Sequence, residues 1–425
     1  MKFNKSSQLL LVSAASLLAA SLVTACGTLT TDFVFVTSSK AAGPNNYGQI
    51  DVFEINKQSG YMRQIPTSPF PSGGRNPVAE ALSTDNTNLY VVNQDDNTIV
   101  QFVIGNDGKV YPQNTTNTPG IFPLAVAVNG TNLFVLDTFQ PLPICSPADP
   151  CSGSIAAFPI TVGSGSPPSD SLGSPAANGN LNYWPLCQYG YISATDFTQC
   201  KAGATSDIIA PTGINVLASG SYVYVTAYDA SVTPNVGYVF AFSAGSGGAL
   251  TPLNGGVPFS AGTSPSAIAS DPTGAYVYVT DATSGNILGY SVASGLLTPL
   301  TTGVNGSNKF PAGDRPSAIV ADPKYPYLYV ANSLDSTVTA YSVNSGTLTS
   351  LGTYSTGLQP VAIGIDPSTN HFLFTANFLG NGTNGSISGF ELSATAGTLL
   401  NSQDSPFNSN AQPTAVAAIP HQATQ

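Results

Sequence analysis

Short segments in which apolar and polar or small residues alternate recur along the whole chain. The clearest are Tyr276–Asp281 (YVYVTD) and Tyr327–Asn332 (YLYVAN), and each follows a Pro-Ser-Ala-Ile segment that begins at Pro265 or Pro316. Alternation with a period of two predicts β-strands with two distinct faces. Gly, Pro, Asn, Ser and Thr between the segments predict short turns. Each unit therefore predicts four antiparallel strands.

The unit recurs seven times, and each copy begins with a proline. These prolines are Pro77, Pro123, Pro211, Pro265, Pro316, Pro360 and Pro413. The last copy has only its first strand, and the strands that it lacks match residues 33–38 and 49–55 near the other end of the chain. A unit shared between both ends indicates a closed ring, and small residues in each first strand suit packing around an axis. We therefore predict an all-β, seven-bladed β-propeller of four-stranded antiparallel blades over residues 26–420, with a tail over 421–425.

Two other architectures fit the repeats less well. An eight-bladed ring needs a further unit within residues 123–210, where only one strand of this type is found. A two-sheet sandwich leaves the split unit without an explanation.

The amino-acid composition argues against several classes of protein. Only 8% of the residues are charged although 42% are hydrophobic, and Gly (42) and Pro (33) are abundant. This combination disfavours a disordered chain and a helical enzyme. The formal net charge of −11 excludes nucleic acid as the expected partner, because such binding needs clustered Lys and Arg.

The first 25 residues predict export. Lys2 and Lys5 precede an apolar run of about 15 residues, which is typical of a secretory signal and short for a bilayer span. The following Val-Thr-Ala-Cys26 resembles the lipobox of bacterial lipoproteins, which implies cleavage before Cys26 and a membrane anchor on that residue. An ordinary cleaved signal with an incidental cysteine is the alternative. Gly27 after the cysteine implies, by the same resemblance, the outer membrane, with the protein facing the periplasm or the cell surface.

Four cysteines remain after cleavage. An even number in an oxidising compartment predicts disulfides, and we pair them locally as Cys145–Cys151 and Cys187–Cys200. A zinc site is the alternative, but the chain has no CxxC motif and no histidine near these cysteines.

The YVTD and YVAN strands, with their Pro-Ser-Ala-Ile and Asp-Pro flanks, resemble the YVTN-type repeats of the lactonase-family β-propellers. The resemblance covers nearly all of residues 30–420 and implies the propeller fold and, as one activity, hydrolysis of a sugar lactone such as 6-phosphogluconolactone. Members of that kind place an Arg-His pair after one blade-opening proline and a Glu after a neighbouring YV-Asn strand. This chain has Ser317-Ala318 and Ser333 there. Residues able to act as a base or to polarise a lactone carbonyl are thus absent from these positions.

The loops that enter each first strand and leave each second strand should share one face. Long insertions fall there, including residues 163–210, and a rigid scaffold with variable loops is a common setting for function. We therefore predict a polar pocket at the channel mouth of this face. Its candidate ligand-binding residues are Arg75, Asn93, Asp137, Trp184, Asp281, Arg315, Asn332 and Asn377. Alternatively, the aromatic residues pack the insertion onto the ring, and the Asn and Asp residues cap the strand ends.

Catalysis by histidine is not expected, because the only histidines, His371 and His421, lie away from the predicted mouth. The Asp and Asn oxygens are ligands that Ca²⁺ accepts, but they come from different blades, so we predict no resident cofactor and keep Ca²⁺ as an alternative. We expect a lipid-anchored monomer that binds or scaffolds a polysaccharide, a small polar ligand or an envelope protein. Lactone hydrolysis is the alternative function.

Overall fold

The structure is a computed structural model that describes residues 30–39, 46–165, 169–201, 207–367, 372–380, 384–409 and 411–420. The predicted signal, Cys26 and both histidines lie outside these ranges. The strands group into seven antiparallel sheets, which confirms the predicted seven-bladed propeller. Three single 3₁₀ turns lie wholly within the described residues, at Ser246–Gly248, Asn254–Gly256 and Val304–Gly306.

The strands, in chain order, have the following bounds. The first four are β1 (Thr30–Ser38), β2 (Gln49–Asn56), β3 (Met62–Gln64) and β4 (Phe70–Pro71). Blade 1 contains β5 (Pro77–Leu82), β6 (Asn88–Asn93), β7 (Thr98–Ile104) and β8 (Val110–Asn117). Blade 2 contains β9 (Ile121–Val128), β10 (Asn132–Phe139), β11 (Ser154–Thr161), β12 (Ser171–Leu172) and β13 (Trp184–Pro185).

Blade 3 contains β14 (Ile209–Val216), β15 (Tyr222–Asp229), β16 (Val236–Ala244), β17 (Leu250–Pro252) and β18 (Phe259–Ser260). Blade 4 contains β19 (Pro265–Ser270), β20 (Tyr276–Asp281), β21 (Asn286–Ala293), β22 (Leu296–Pro299) and β23 (Lys309–Pro311). Blade 5 contains β24 (Pro316–Ala321), β25 (Tyr327–Asn332), β26 (Thr337–Asn344) and β27 (Thr347–Ser355). Blade 6 contains β28 (Leu358–Ile365), β29 (Phe372–Gly380), β30 (Ser386–Leu392), β31 (Leu399–Asn401) and β32 (Phe407–Asn408).

Blade 7 joins the two ends of the chain. Its inner strand is β33 (Pro413–Pro420), which pairs with β1, and β2, β3 and β4 complete the sheet. Each first strand lies against the first strands of both neighbouring blades, and β33 lies between β28 and β5. The ring therefore closes through one shared blade, as the split repeat predicts.

The hydrophobic core is divided into seven clusters, and each lies between two neighbouring blades. Blades 4 and 5, for example, pack Tyr278, Ile287 and Phe310 against Ile319 and Leu328. Because both faces of a blade meet a neighbour, the second strands are buried on both faces, and 277–281 of the YVYVTD segment are all buried. Alternation in such strands therefore separates two buried faces and not a buried face from a solvated one.

Each opening proline sits at a β-bulge. Pro265 pairs with Asp281, whereas Ala267 pairs with Thr280, so the residue between Pro265 and Ala267 has no partner. The same register shift follows the opening proline of every blade. Proline fits a bulge or the first residue of a strand because it offers no N–H to the ladder.

A tyrosine in the second strand of three blades ties each blade to the next. The hydroxyls of Tyr224, Tyr278 and Tyr329 donate to the carbonyls of Gly295, Gly346 and Gly397 at 3.1, 3.0 and 3.2 Å. These glycines have φ of 78°, 83° and 67°, and a Cβ on each would meet a tyrosine ring of the preceding blade within about 2.5 Å. The hairpins require glycine for both reasons.

Both predicted disulfides are present. Cys145 pairs with Cys151 and Cys187 pairs with Cys200, with Cα atoms 5.5 and 5.2 Å apart. The structure differs from the prediction in how it divides residues 163–210. Residues 171–172 and 184–185 pair with β11 as the outer strand of blade 2, so only the part after residue 185 forms a loop on the predicted face. These strand pairs are too short for alternation to reveal them.

Candidate functional site

The predicted working face has the expected loops, and we call it the mouth face. The loop before each first strand and the loop after each second strand are joined by backbone hydrogen bonds. Ala282 N donates to Ser264 O at 2.9 Å, and Ser333 N donates to Arg315 O at 3.0 Å. We call the other face, which carries the turns between first and second strands, the base face.

Five of the eight candidate residues lie at or near the mouth ends of second strands, and each pairs with the opening proline of its blade. Asn93, Asp137, Asn332 and Asn377 are 0% exposed and Asp281 is 2% exposed. Their side chains hold the neighbouring loops: the Asn332 Oδ1 atom accepts from Gly313 N at 3.0 Å, and the Asp137 Oδ2 atom accepts from Gly120 N at 3.0 Å. The Asn and Asp side chains thus cap the strand ends, which the sequence analysis gave as the alternative to ligand binding. In this position they have little contact with solvent.

The two aspartates at this position differ in their ionisation. Burial raises the pKa of Asp137 to about 7, because the hydrogen bonds from Gly120 N and the Thr118 side chain do not offset the loss of water. Burial also acts to raise the pKa of Asp281. The backbone N–H groups of Thr263 and Ser264 donate to its carboxylate at 3.0 and 3.1 Å, and with Ser284 they bring its pKa below the ordinary value.

A depression of about 640 Å³ opens on the mouth face, and we call it the mouth depression. It lies across the openings of blades 3, 4 and 5 and contains one of the predicted candidates, Arg315. Its lining consists of Leu124, Pro211, Thr212, Tyr228, Asn235, Ser264, Pro265, Ser266, Ala282, Thr283, Asp314, Arg315 and Leu334. The lining combines a cation, a carboxylate, an amide and hydroxyls with apolar walls, which is the composition of a site for a small polar ligand.

Arg315 and Arg75 differ in what they offer to a ligand. Arg75 donates from Nε to Asp96 Oδ1 at 2.7 Å, so its charge is already paired. Arg315 is exposed and forms no ion pair with any residue that the structure describes. Its backbone is left-handed, with φ 53°, immediately before Pro316. Left-handed non-glycine residues are uncommon and carry a conformational cost.

Trp184 does not line the depression. It is 2% exposed and packs with Phe134, Leu186 and Phe240 in the cluster between blades 2 and 3. The disulfide-bonded loop after it is fixed by Tyr191, whose hydroxyl donates to Pro185 O at 2.8 Å. The loop aromatics therefore pack the insertion onto the ring, as in the second interpretation of the sequence.

Sequence reasoning missed several lining residues. Tyr228 and Thr283 each come one or two residues after a second strand's capping position, and Asp314 precedes Arg315. The prediction named the residues at the capping positions and not their neighbours in the chain, which are the ones that line the depression. No sequence signal singled out Asn235, which lies in a loop of irregular composition.

Comparison with known proteins gives a partial match to one family. Residues 232–417 match the family model described as "Lactonase, 7-bladed beta-propeller". Over these residues the chain is similar to the lactonase-family β-propellers. The match covers the outer strands of blade 3, blades 4 to 6 and most of β33, whereas the first two blades, the insertion and the two inner strands of blade 3 lie outside it.

Solved structures of other proteins show the same propeller fold. The periplasmic gluconolactonase PpgL of Pseudomonas aeruginosa is 16% identical, with a TM-score of 0.65 over 92% of this chain and 99% of that one. Proteins of Bacteroides fragilis and Bacteroides uniformis, provisionally named 6-phosphogluconolactonases, are 19% and 18% identical. Their TM-scores are 0.64 and 0.63, over 92% of this chain and 98% and 100% of theirs. No curated protein matches the chain.

The positions at which the sequence departs from catalytic lactonases carry serines that bond to the backbone. The Ser317 hydroxyl donates to Pro360 O of the next blade at 2.7 Å, and the Ser333 hydroxyl donates to Arg315 O at 2.9 Å. Ser266 and Thr414 make the same bond to Pro316 O and Pro77 O. The hydroxyls of Ser266, Ser317 and Thr414 link neighbouring first strands around the channel, and that of Ser333 links two loops of one blade, so all four have a structural role.

The residues considered for Ca²⁺ belong to separate blades. Within the described ranges, no three His, Cys, Asp or Glu side chains come close enough to share a metal ion. Asp137 and Asp281 each bind the backbone of an adjoining loop.

Proposed function

We propose that this chain is a lactonase-like propeller, exported and lipid-anchored in the cell envelope, whose mouth depression binds a small polar ligand bearing a carboxylate. The observation that carries the proposal is the unpaired, exposed Arg315 in a depression of about 640 Å³. A guanidinium binds a carboxylate through paired, charge-assisted hydrogen bonds. Tyr228 and Asn235 add groups suited to hydroxyls, and Leu124 and Leu334 add apolar walls. A sugar acid combines these features.

The side chains in the mouth depression favour binding over lactone hydrolysis. Hydrolysis needs a group that activates water and donors that stabilise the developing oxyanion. Asp314 is the only carboxylate in the lining and lies next in sequence to Arg315. Lactone hydrolysis remains the second candidate because the matching family model and three similar structures are named for that activity.

The location rests on the sequence. The signal-like first 25 residues, the lipobox-like Val-Thr-Ala-Cys26 and two disulfides support export to an oxidising compartment and anchoring at Cys26, with the outer membrane as the proposed site. In the part of the chain that the structure covers, no helix has the length and apolarity needed to cross a membrane. We further propose a monomer without a resident metal, and a polysaccharide with terminal sugar acids or an envelope protein as the larger partner.

Calorimetric titration of residues 27–425 with glucuronate and with glucose tests the proposal. We expect glucuronate to bind and glucose to bind at least tenfold more weakly, since a charge-assisted hydrogen bond contributes about 1.5–3 kcal/mol. Arg315→Ala should abolish the preference for the acid. Arg63→Ala is the matched control, because Arg63 is an exposed arginine of β3 paired with Glu54.

The same proteins incubated with gluconolactone and 6-phosphogluconolactone separate the two functions. We expect hydrolysis at the spontaneous rate. Turnover above that rate that Arg315→Ala abolishes would replace the binding proposal with lactone hydrolysis. Equal binding of glucuronate by the Arg315→Ala and unsubstituted proteins would remove the mouth depression as the site.

A further inference from the structure

The N-terminal end of β1 fixes where a lipid anchor leaves the propeller. β1 runs from Thr30, which pairs with Asn56 at the start of a base-face hairpin, to Ser38, which pairs with Pro413 on the mouth face. Thr30 therefore lies on the base face. The direction of β1 follows from its place as the second strand of blade 7, because second strands run from base to mouth in every blade.

The chain between the anchor and the propeller is short. Three residues, 27–29, separate Cys26 from Thr30. Four residue steps reach at most about 14 Å, at roughly 3.5 Å per step. The nine residues of β1 rise about 26 Å, at roughly 3.3 Å per residue. Residues 27–29, which we call the tether, are therefore too few to bring a lipid on Cys26 to the mouth face.

The tether also leaves from within the base face and not from the rim of the ring. β1 is the second strand from the axis, and β2 and then β3 lie outside it. Two further strands take up about 10 Å at roughly 4.8 Å per strand. A ring standing on its edge would use most of the tether to cross this hairpin, so contact through the base face is favoured. Exposed apolar side chains occur on both faces and do not decide between them; Tyr111 on the base side and Leu358 on the mouth side are examples.

We propose that the base face rests on the lipid bilayer and that the mouth depression points away from the membrane. This inference rests on the lipid anchor of the proposed function and adds the side from which the ligand arrives. A ligand reaches Arg315 from the aqueous compartment and not from the bilayer. Membrane lipids are thereby excluded as the molecules that the mouth depression binds.

Quenching of tryptophan fluorescence by lipids with a nitroxide headgroup tests the orientation. The lipidated full chain is reconstituted on phosphatidylcholine vesicles containing this lipid. Tyr111→Trp reports the base side in blade 1, and Leu358→Trp reports the mouth side in blade 6; both blades adjoin blade 7. The two positions are matched, with exposures of 48% and 49%. Trp184, at 2% exposure, is a common background that the unsubstituted protein measures.

We expect the fluorescence added by Tyr111→Trp to be quenched and that added by Leu358→Trp to be unchanged. Equal quenching of both, quenching of neither, or stronger quenching of Leu358→Trp would each overturn the orientation. Flotation of the vesicles tests the anchor separately, with Cys26→Ser as the control that should stay in solution. Failure of the unsubstituted chain to float removes the anchor and the orientation with it, whereas flotation without selective quenching removes the orientation alone.

Discussion

At the scale of single residues, Glu80 departs from a regular pattern. The third residue after each opening proline is Val126, Ile214, Ile268, Ile319, Ile363 or Val416 in the other six blades. In blade 1 it is Glu80, whose Oε1 atom is buried with no hydrogen-bond partner in the described part of the chain. Thr37 of β1 donates to Oε2, and Ala417 of β33 supplies a backbone N–H, so one carboxyl touches both strands that close the ring.

Glu80 should make stability depend on pH. Burial raises the pKa of Glu80 from 4.5 to about 8. Because the folded protein holds the proton more tightly than the unfolded chain, the favourable contribution is complete below pH 4.5 and is lost as pH rises through about 8. We expect the unfolding midpoint in urea to fall between pH 6 and pH 9 in the unsubstituted protein and to fall less in Glu80→Gln.

The control for this experiment is Glu54→Gln, which changes an exposed ion pair with Arg63 and should leave the pH dependence as it was. An identical pH dependence in Glu80→Gln and the unsubstituted protein would show that Glu80 is ionised in the fold throughout this range.

At the scale of elements, the second strand of a blade, with its YVT-Asp/Asn sequence, forms hydrogen bonds to other segments near both of its ends. Near the base face, the Tyr278 hydroxyl donates to Gly346 O of the next blade. On the mouth face, Asp281 holds the backbone N–H groups of Thr263 and Ser264. The repeated sequence thus specifies a link between blades and a cap for the preceding loop, and neither role requires a ligand.

Removal of the tyrosine link should destabilise the ring modestly. Tyr278→Phe leaves the buried Gly346 carbonyl without its donor, and we expect a loss of about 1 kcal/mol in the free energy of unfolding measured in urea. Tyr276→Phe is the control in the same strand, since its hydroxyl bonds to no described residue. A loss of equal size in both variants would assign the effect to packing and not to the hydrogen bond.

The longer disulfide should contribute more than the shorter one. Cys187 and Cys200 are 13 residues apart, and Cys145 and Cys151 are 6 apart. On the chain-entropy model, the paired Cys→Ser substitutions should cost roughly 3 kcal/mol for the longer loop and about 0.6 kcal/mol less for the shorter one. Thermal unfolding of the two double variants checks the order. The reverse order would mean that contacts in the folded loops outweigh the entropy of the unfolded chain.

At the scale of the whole molecule, the ring depends on β33. Val416 and Ala418 belong to the cluster between blades 6 and 7, and Ile419 belongs to the cluster between blades 7 and 1. A chain that ends at residue 410 loses the inner strand that lies between β28 and β5.

Because two of the seven clusters are then open, we expect the truncated protein to lose its cooperative thermal transition and to bind a hydrophobic dye. A chain that ends at residue 420 keeps β33 and should unfold as the full chain does. A cooperative transition at the original temperature after truncation at 410 would show that six blades and the remaining strands close without β33.

The sequence alone determined the number of blades and the shared blade, and it predicted a local pairing of the cysteines that the structure confirms. Each blade is a local meander with its own turns, so strand order follows chain order, and the repeated proline and YVT-Asp/Asn segments mark it. The sequence did not determine which residues line the mouth depression. Which side chains face solvent at a strand end depends on the bulge after each proline and on the neighbouring loop. Asp281 and Arg315, both predicted to line the mouth, are therefore separated into a buried cap and an exposed cation. Only the tertiary structure makes that distinction, because it arises from contacts between residues of different loops and blades.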